Sequence, residues 1–301
     1  MDIFEIIKAY IFRKLLKRES RGQSFGDLID ETLKALDDRS PDKRKTPFLR
    51  TGLEKFDNLV EGLLQQGSVI IVAGRPCIGK TAYVTSIALH VTARKNHHVQ
   101  FYCMDSSKES IVQALLGAYG NVELHRMRSG ELEPAHWSKL TMAASKLSSI
   151  PLNIIDDADS IAAIKKSIIS SAIANDTRLV IIDALHFFSS RQNGRCGMGD
   201  VCVELKKLAR RLNLVIMATC LLPPQVDLRD SPLPYLSDLK AIGDIERHVD
   251  GVVLLHREEY YNPEGDQAGK MQVIVAKNRF GPVGTVELRF LNEYAKVENL
   301  Q

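Results

Sequence analysis

The chain has 301 residues, 45% of them hydrophobic and 26% charged, which is enough for one large α/β domain with a sizeable core and a short appendage. A net charge of only +3 excludes a global basic field, so a nucleic-acid partner would be met by local patches. No run of 18 or more apolar residues occurs, which argues against a membrane, and the five cysteines lack C-x-x-C spacing and read as small buried hydrophobes in a reducing cytoplasmic setting.

Residues 2–18 place Ile3, Phe4, Ile7, Ile11 and Leu15 at helical spacing among Lys8, Arg13, Lys14, Lys17 and Arg18. Acidic residues intrude there, so a helix docking on a protein fits better than a signal peptide or a membrane-surface helix. A second helix over 25–37 carries Leu28, Ile29, Leu33 and Leu36, and a polar linker follows at 38–45. Two short amphipathic helices cannot form a core alone, so their apolar faces are expected to bury on another subunit. The chain thus divides near residue 48, into docking helices over 1–47 and one domain over 48–301.

The apolar run Val69-Ile70-Ile71-Val72-Ala73 predicts a buried strand. It leads into Gly74-Arg75-Pro76-Cys77-Ile78-Gly79-Lys80-Thr81, which spells G-x-x-x-x-G-K-T, and then into a helical pattern through Tyr83, Val84, Ile87, Ala88 and Val91. That is the strand–loop–helix setting of a phosphate-binding loop. Its glycines let backbone N–H groups close on a polyphosphate at a helix N-terminus. Lys80 would reach the β- and γ-phosphates of ATP, and the Thr81 hydroxyl would ligate Mg²⁺.

Short apolar runs at Val99–Met104, Leu152–Ile155, Leu179–Ile182 and Leu214–Ala218 alternate with helical patterns at 107–119, 136–147, 160–174 and 200–212. This predicts a doubly wound, mostly parallel sheet. Gly251–Leu255, Met271–Lys277 and Thr285–Leu291 follow with short turns and predict an antiparallel edge. Polar residues at the carboxyl ends of the strands are then candidates for the site. Asp183 ends its strand as an acid that holds Mg²⁺ directly or through water. Asp105 ends another, as a general base toward water or as a helix cap. Asp156 and Asp157 read as a turn, with Asp159 or Ser160 capping the next helix. Near the C-terminus Lys277 and Arg279 flank Asn278 before a Gly-Pro turn. They are either transition-state cations or a solvated hairpin tip.

Thr51-Gly52-Leu53, the GRPCIGKT loop, LVIIDALHFF at 179–188, SDLKAIGDIERHVD at 237–250 and AKNRFGPVGT at 276–285 stand in one order. In that order the chain resembles replicative DNA helicases of the DnaB type over about residues 25–298. The resemblance implies a RecA-like fold, a homo-hexameric ring hydrolysing ATP between subunits, movement along single-stranded DNA, and a helicase loader or other replication protein as partner. It implies that Lys277 and Arg279 serve the neighbour's nucleotide, that 25–37 is the linker helix, and that Lys240 and Gly243 lie in the DNA-contacting loop. Further DNA candidates are Arg191 and Arg195, then Lys206 and Arg229. Only about 24 residues precede the linker helix, so the family's globular N-terminal collar domain is not expected.

Two departures stand out. Asp105 replaces the family's catalytic glutamate and is shorter by one C–C bond, about 1.5 Å, so slow hydrolysis is expected, since small misplacements cost on the order of a hundredfold. Leu221 stands where relatives carry a phosphate-sensing glutamine. Three readings remain open from the sequence: a translocating ring ATPase, an ATP- and DNA-binding regulatory subunit with weak hydrolysis, and a RecA-like recombination ATPase. The K-N-R-F-G-P segment argues against the third.

Overall fold

The structure, a computed structural model, describes residues 24–38, 48–93, 96–188 and 197–300. The expected helix over 2–18 and most of the 38–45 linker lie outside them.

Helix α1 (Phe25–Asp38) starts at Ser24, whose hydroxyl oxygen accepts from the Asp27 N–H at 3.2 Å. Its Phe25, Leu28, Ile29 and Leu33 are exposed, Phe25 by 79%. A short helix α2 (Glu54–Leu59) follows. The turn before it is fixed by the Asp57 carboxylate, which accepts from the Thr51 N–H and hydroxyl and from the Gly52 N–H at 2.7–3.0 Å. Gly52 has φ +85°, and a Cβ there would stand 2.0 Å from His90 Nδ1.

Then come β1 (Val69–Gly74), α3 (Lys80–Ala93), β2 (Val99–Cys103), α4 (Lys108–Gly120), α5 (Leu124–Ser129), α6 (Pro134–Leu147), β3 (Leu152–Ile155), α7 (Ile161–Asn175), β4 (Leu179–Asp183), α8 (Met198–Leu212) and β5 (Val215–Leu221). Strands β6 (Gly251–His256), β7 (Lys270–Asn278), β8 (Gly284–Leu291) and β9 (Lys296–Asn299) complete one sheet in the order β3-β2-β4-β5-β1-β6-β7-β8-β9. The first six in that order run parallel and the last three add antiparallel, so the expected mixed sheet is present.

Alternation along β1 divides the core. Ile70 and Val72 pack with Tyr83, Val84 and Ile87 of α3 on one face. Val69, Ile71 and Ala73 pack with Val201, Leu205 and Leu208 of α8 on the other. A strand covered on both faces has no polar side, which is why it reads as a continuous apolar run. From β1 the chain crosses to β2, three places away, and returns through β5 to β6 on β1's other side. The carboxyl ends of β1, β4 and β5 therefore border one crevice, where such sheets bind ligands.

Candidate functional site

The phosphate loop fills the turn from β1 to α3. Gly74 and Gly79 admit no side chain: a Cβ on Gly74 would stand 2.7 Å from Ile78 Cγ2, and one on Gly79, at φ +107°, 2.8 Å from both Met271 and Phe290. Pro76 and Cys77 are exposed, Cys77 in the left-handed region at φ 57°. The expectation that Cys77 is buried is therefore corrected: it sits at the tip of the turn, which faces outward. Cys103, Cys202 and Cys220 are buried as expected, and Cys196 lies outside the described residues.

Lys80 is buried. Its ammonium donates to the carbonyls of Gly74 at 3.2 Å and Arg75 at 2.8 Å. Burial lowers its pKa to about 8, partly opposed by the negative charge of Asp183. Thr81 donates its hydroxyl to Asp183 Oδ2 at 2.7 Å, and Thr219 of β5 donates to Asp183 Oδ1. Two oxygens held side by side on an octahedral Mg²⁺ lie about 2.9 Å apart, so the Thr81–Asp183 pair has the hard donors and spacing that such an ion takes.

Asp105 follows β2, which is in register with β4 so that Cys103 faces Asp183. The Met104 N–H donates to the Asp183 carbonyl at 2.6 Å. Asp105 is exposed next to this junction and does not cap α4, because the Ser107 hydroxyl takes that place on the Ser110 N–H. Ser160 caps α7, as one of the two sequence options had it. His186, absent from the sequence reading, stands within electrostatic reach of Asp105, Lys80 and Asp183, and burial lowers its pKa. A second feature missed in the sequence is Arg257, buried with its guanidinium 4.1 Å over the Phe290 ring beside Gly79. No motif marks that pair; only the pairing of β8 into the sheet brings it to the loop.

Lys277 and Arg279 lie elsewhere. Asn278 of β7 faces Gly251, and Gly251 faces Ile70 near the amino end of β1. The Arg279 N–H donates to the Asp250 carbonyl at 2.9 Å, and the Asp250 N–H to the Val69 carbonyl at 2.9 Å. The phosphate loop begins at the other end of β1, five residues on, or roughly 16 Å at about 3.3 Å per residue. The two cations also differ. Lys277 is half-buried and donates to the carbonyls of Glu246 and Val249, the latter at 2.9 Å. Burial lowers its pKa. Arg279 is exposed, with Nη1 3.6 Å from the buried Asp250 carboxylate.

The loop expected to contact DNA forms the 3-10 helix Leu236–Ile242. Lys240 is exposed on it, and Gly243 ends it at φ +127°. Two other expected DNA contacts, Lys206 and Arg229, have partners within the chain. Lys206 donates to the Gly67 carbonyl at 2.7 Å and pairs with buried Asp250, at the amino end of the sheet. Arg229 is spent on buried Asp238, with Nη1 3.1 Å from Oδ2. Arg191 and Arg195 lie outside the described residues.

Among the described residues no helix is long and apolar enough to cross a membrane. The family profile described as DnaB-like helicase C terminal domain matches residues 49–299. The chain is 35% identical over 257 residues to the replicative DNA helicase DnaB of Geobacillus stearothermophilus, covering 83% of this chain and 56% of that protein. It is 32% identical over 291 residues to the replicative DNA helicase DnaC of Bacillus subtilis (strain 168), covering 95% and 64%. The chain thus spans between about half and two thirds of the length of these curated relatives.

Among solved structures, a chain described as an ATPase domain superposes with a TM-score of 0.83 at 26% identity, over 93% of this chain and all of that one. A DnaB-like replicative helicase whose structure was described with its primase interactions gives 0.82 at 25% identity, over 99% of this chain and 72% of that one. A KaiC-like protein of Pyrococcus horikoshii shares the fold alone, at 0.57 and 14% identity. Profile and relatives agree, and the chain belongs to the DnaB-like helicase C-terminal domain family.

Proposed function

We propose that this chain is the motor of an ATP-driven ring helicase that moves along single-stranded DNA and hydrolyses ATP where two copies meet. The observation that carries the reading is the separation of the phosphate loop from Arg279, at opposite ends of β1. One copy holds the loop and the acids at one end and an exposed arginine at the other, so a complete site takes two copies in head-to-tail contact, which gives a ring where the rotation between copies closes. The exposed apolar face of α1 supports the same assembly as a docking helix on the adjoining copy.

In the reaction, Lys80 leaves the Gly74 and Arg75 carbonyls for the β- and γ-phosphates. Asp105 accepts the proton of the attacking water as its oxygen bonds to the γ-phosphorus and the bond to the β,γ-bridging oxygen breaks, giving ADP and phosphate. Arg279 of the next copy neutralises the charge that spreads over the γ-oxygens. Thr81 and Asp183 would hold Mg²⁺, which would supply positive charge beside the phosphates. Lys240 meets the DNA backbone without reading sequence.

A second reading, an ATP-holding regulatory subunit, is favoured by the short carboxylate of Asp105 and the apolar Leu221 at the end of β5. Strand separation on a forked duplex, driven by ATP and absent without it, tests the two. Unwinding supports the motor, and ATP-dependent DNA binding without unwinding supports the regulatory subunit.

A further inference from the structure

Arg75 leaves the phosphate loop sideways. Its guanidinium grips the Asp227 carboxylate through Nε at 2.7 Å and Nη2 at 2.6 Å, while Nη1 donates to the Leu222 carbonyl at 2.7 Å. The Tyr261 hydroxyl donates to the other Asp227 oxygen at 2.8 Å. Nε and Nη2 converge on one oxygen, Oδ2, so with Tyr261 the Asp227 carboxylate accepts from three donors.

Asp227 lies in the 3-10 helix Pro224–Leu228 that follows β5. Two residues on, Arg229 repeats the arrangement: it pairs with buried Asp238, and its guanidinium lies 5.4 Å over the Tyr235 ring. Asp238 also accepts from the Tyr235 N–H at 2.8 Å and stands two residues before Lys240. Two ion pairs in series therefore join the phosphate loop to the exposed lysine.

The loop end of this series depends on where the Lys80 ammonium sits. At rest the Lys80 ammonium is bonded to the carbonyl of Arg75, the residue whose side chain grips Asp227. A nucleotide that draws Lys80 onto its phosphates takes that partner away and lets the Arg75 backbone shift. A ligand moves an equilibrium only through contacts that differ between its states, and this contact differs. Leu221, facing Gly74 across the sheet, has an apolar side chain that cannot hydrogen-bond and so cannot report the change.

We propose that Asp227 is a positioning residue that transmits nucleotide occupancy from Arg75 to the Lys240 loop through the Arg229–Asp238 pair. This rests on the proposed function above, which makes Lys240 a DNA contact.

The test is the affinity of the full chain for a short single-stranded oligonucleotide, with and without a non-hydrolysable ATP analogue, and the reciprocal affinity for the analogue. The two ratios must agree, because coupling between sites is reciprocal. Wild type is expected to give a ratio on the order of tenfold. Asp227→Asn should bring it close to one, while the affinity for each ligand alone stays within about twofold. Asp227→Glu, which restores the charge, should recover most of the ratio. An Asp227→Asn chain that keeps the wild-type ratio overturns the proposal. So does one that loses both separate affinities, because Asp227 would then be merely structural. A wild-type chain that binds the analogue but no oligonucleotide overturns the proposed function instead.

Discussion

Thr81 and Asp183, 102 positions apart in sequence, meet at 2.7 Å across the crevice between β1 and β4. The contact exists because a helix begins at the end of one buried strand while the next but one in the sheet ends in an acid. With Thr219 on the other carboxylate oxygen, Asp183 is held between two hydroxyls. Asp183→Asn keeps the shape and removes the charge. Magnesium-dependent ATP turnover should fall by roughly a hundredfold or more, while the nucleotide still binds without metal. Steady-state hydrolysis against a magnesium titration measures this.

Nucleotide affinity should depend on pH through Lys80. In the free protein its ammonium titrates near 8, burial being the main cause. Phosphates raise that value, so binding takes up a proton once the free lysine is neutral. Affinity should be flat below about pH 8 and fall above it, up to about tenfold per pH unit. Calorimetry in buffers of different ionisation enthalpy should detect proton uptake at pH 9 that Lys80→Ala abolishes.

Arg279 and Lys80 should complement each other between copies. Arg279→Ala and Lys80→Ala chains should each lose about a thousandfold in turnover, the scale of a missing finger arginine. Mixed in equal amounts they form some interfaces that hold both native residues, and a measurable part of the activity should return. No recovery in co-assembled mixtures would mean that Arg279 acts within its own copy.

The sheet and the loop were legible in the sequence because strands buried on both faces read as apolar runs and the loop's glycines keep fixed spacing. Asp183 was legible from its place at a strand end. What was not legible depends on register and on pairs formed at a distance. The Arg257–Phe290 stack joins β6's end to β8. Lys206 reads as a free cation until Asp250 is seen beside it, and Arg229 until Asp238 is. Strand β9, Lys-Val-Glu-Asn, lacks the apolar run that marks the equally short β3, and helix α5 is too short, at six residues, for periodicity to mark it.

Gly52 is a test of the fold alone. At φ +85° and against His90, alanine there is strained and displaces the ring. Gly52→Ala should cost about 1–3 kcal/mol. The midpoint of thermal unfolding should drop by roughly 2–4 °C for each kcal/mol.

Lys240→Ala should weaken binding to single strands of any sequence to a similar degree. It should also lower the salt dependence by about one phosphate contact. Anisotropy titrations from low to moderate salt measure the slope, and an unchanged slope removes Lys240 from the interface.

Steady-state ATP hydrolysis with and without single-stranded DNA, beside a Lys80→Ala control, tests the account most directly. The account predicts turnover that DNA stimulates and that disappears in Lys80→Ala, with Asp105 serving as the base. Nucleotide bound without turnover, with or without DNA, would contradict the motor and leave an ATP-holding subunit in its place.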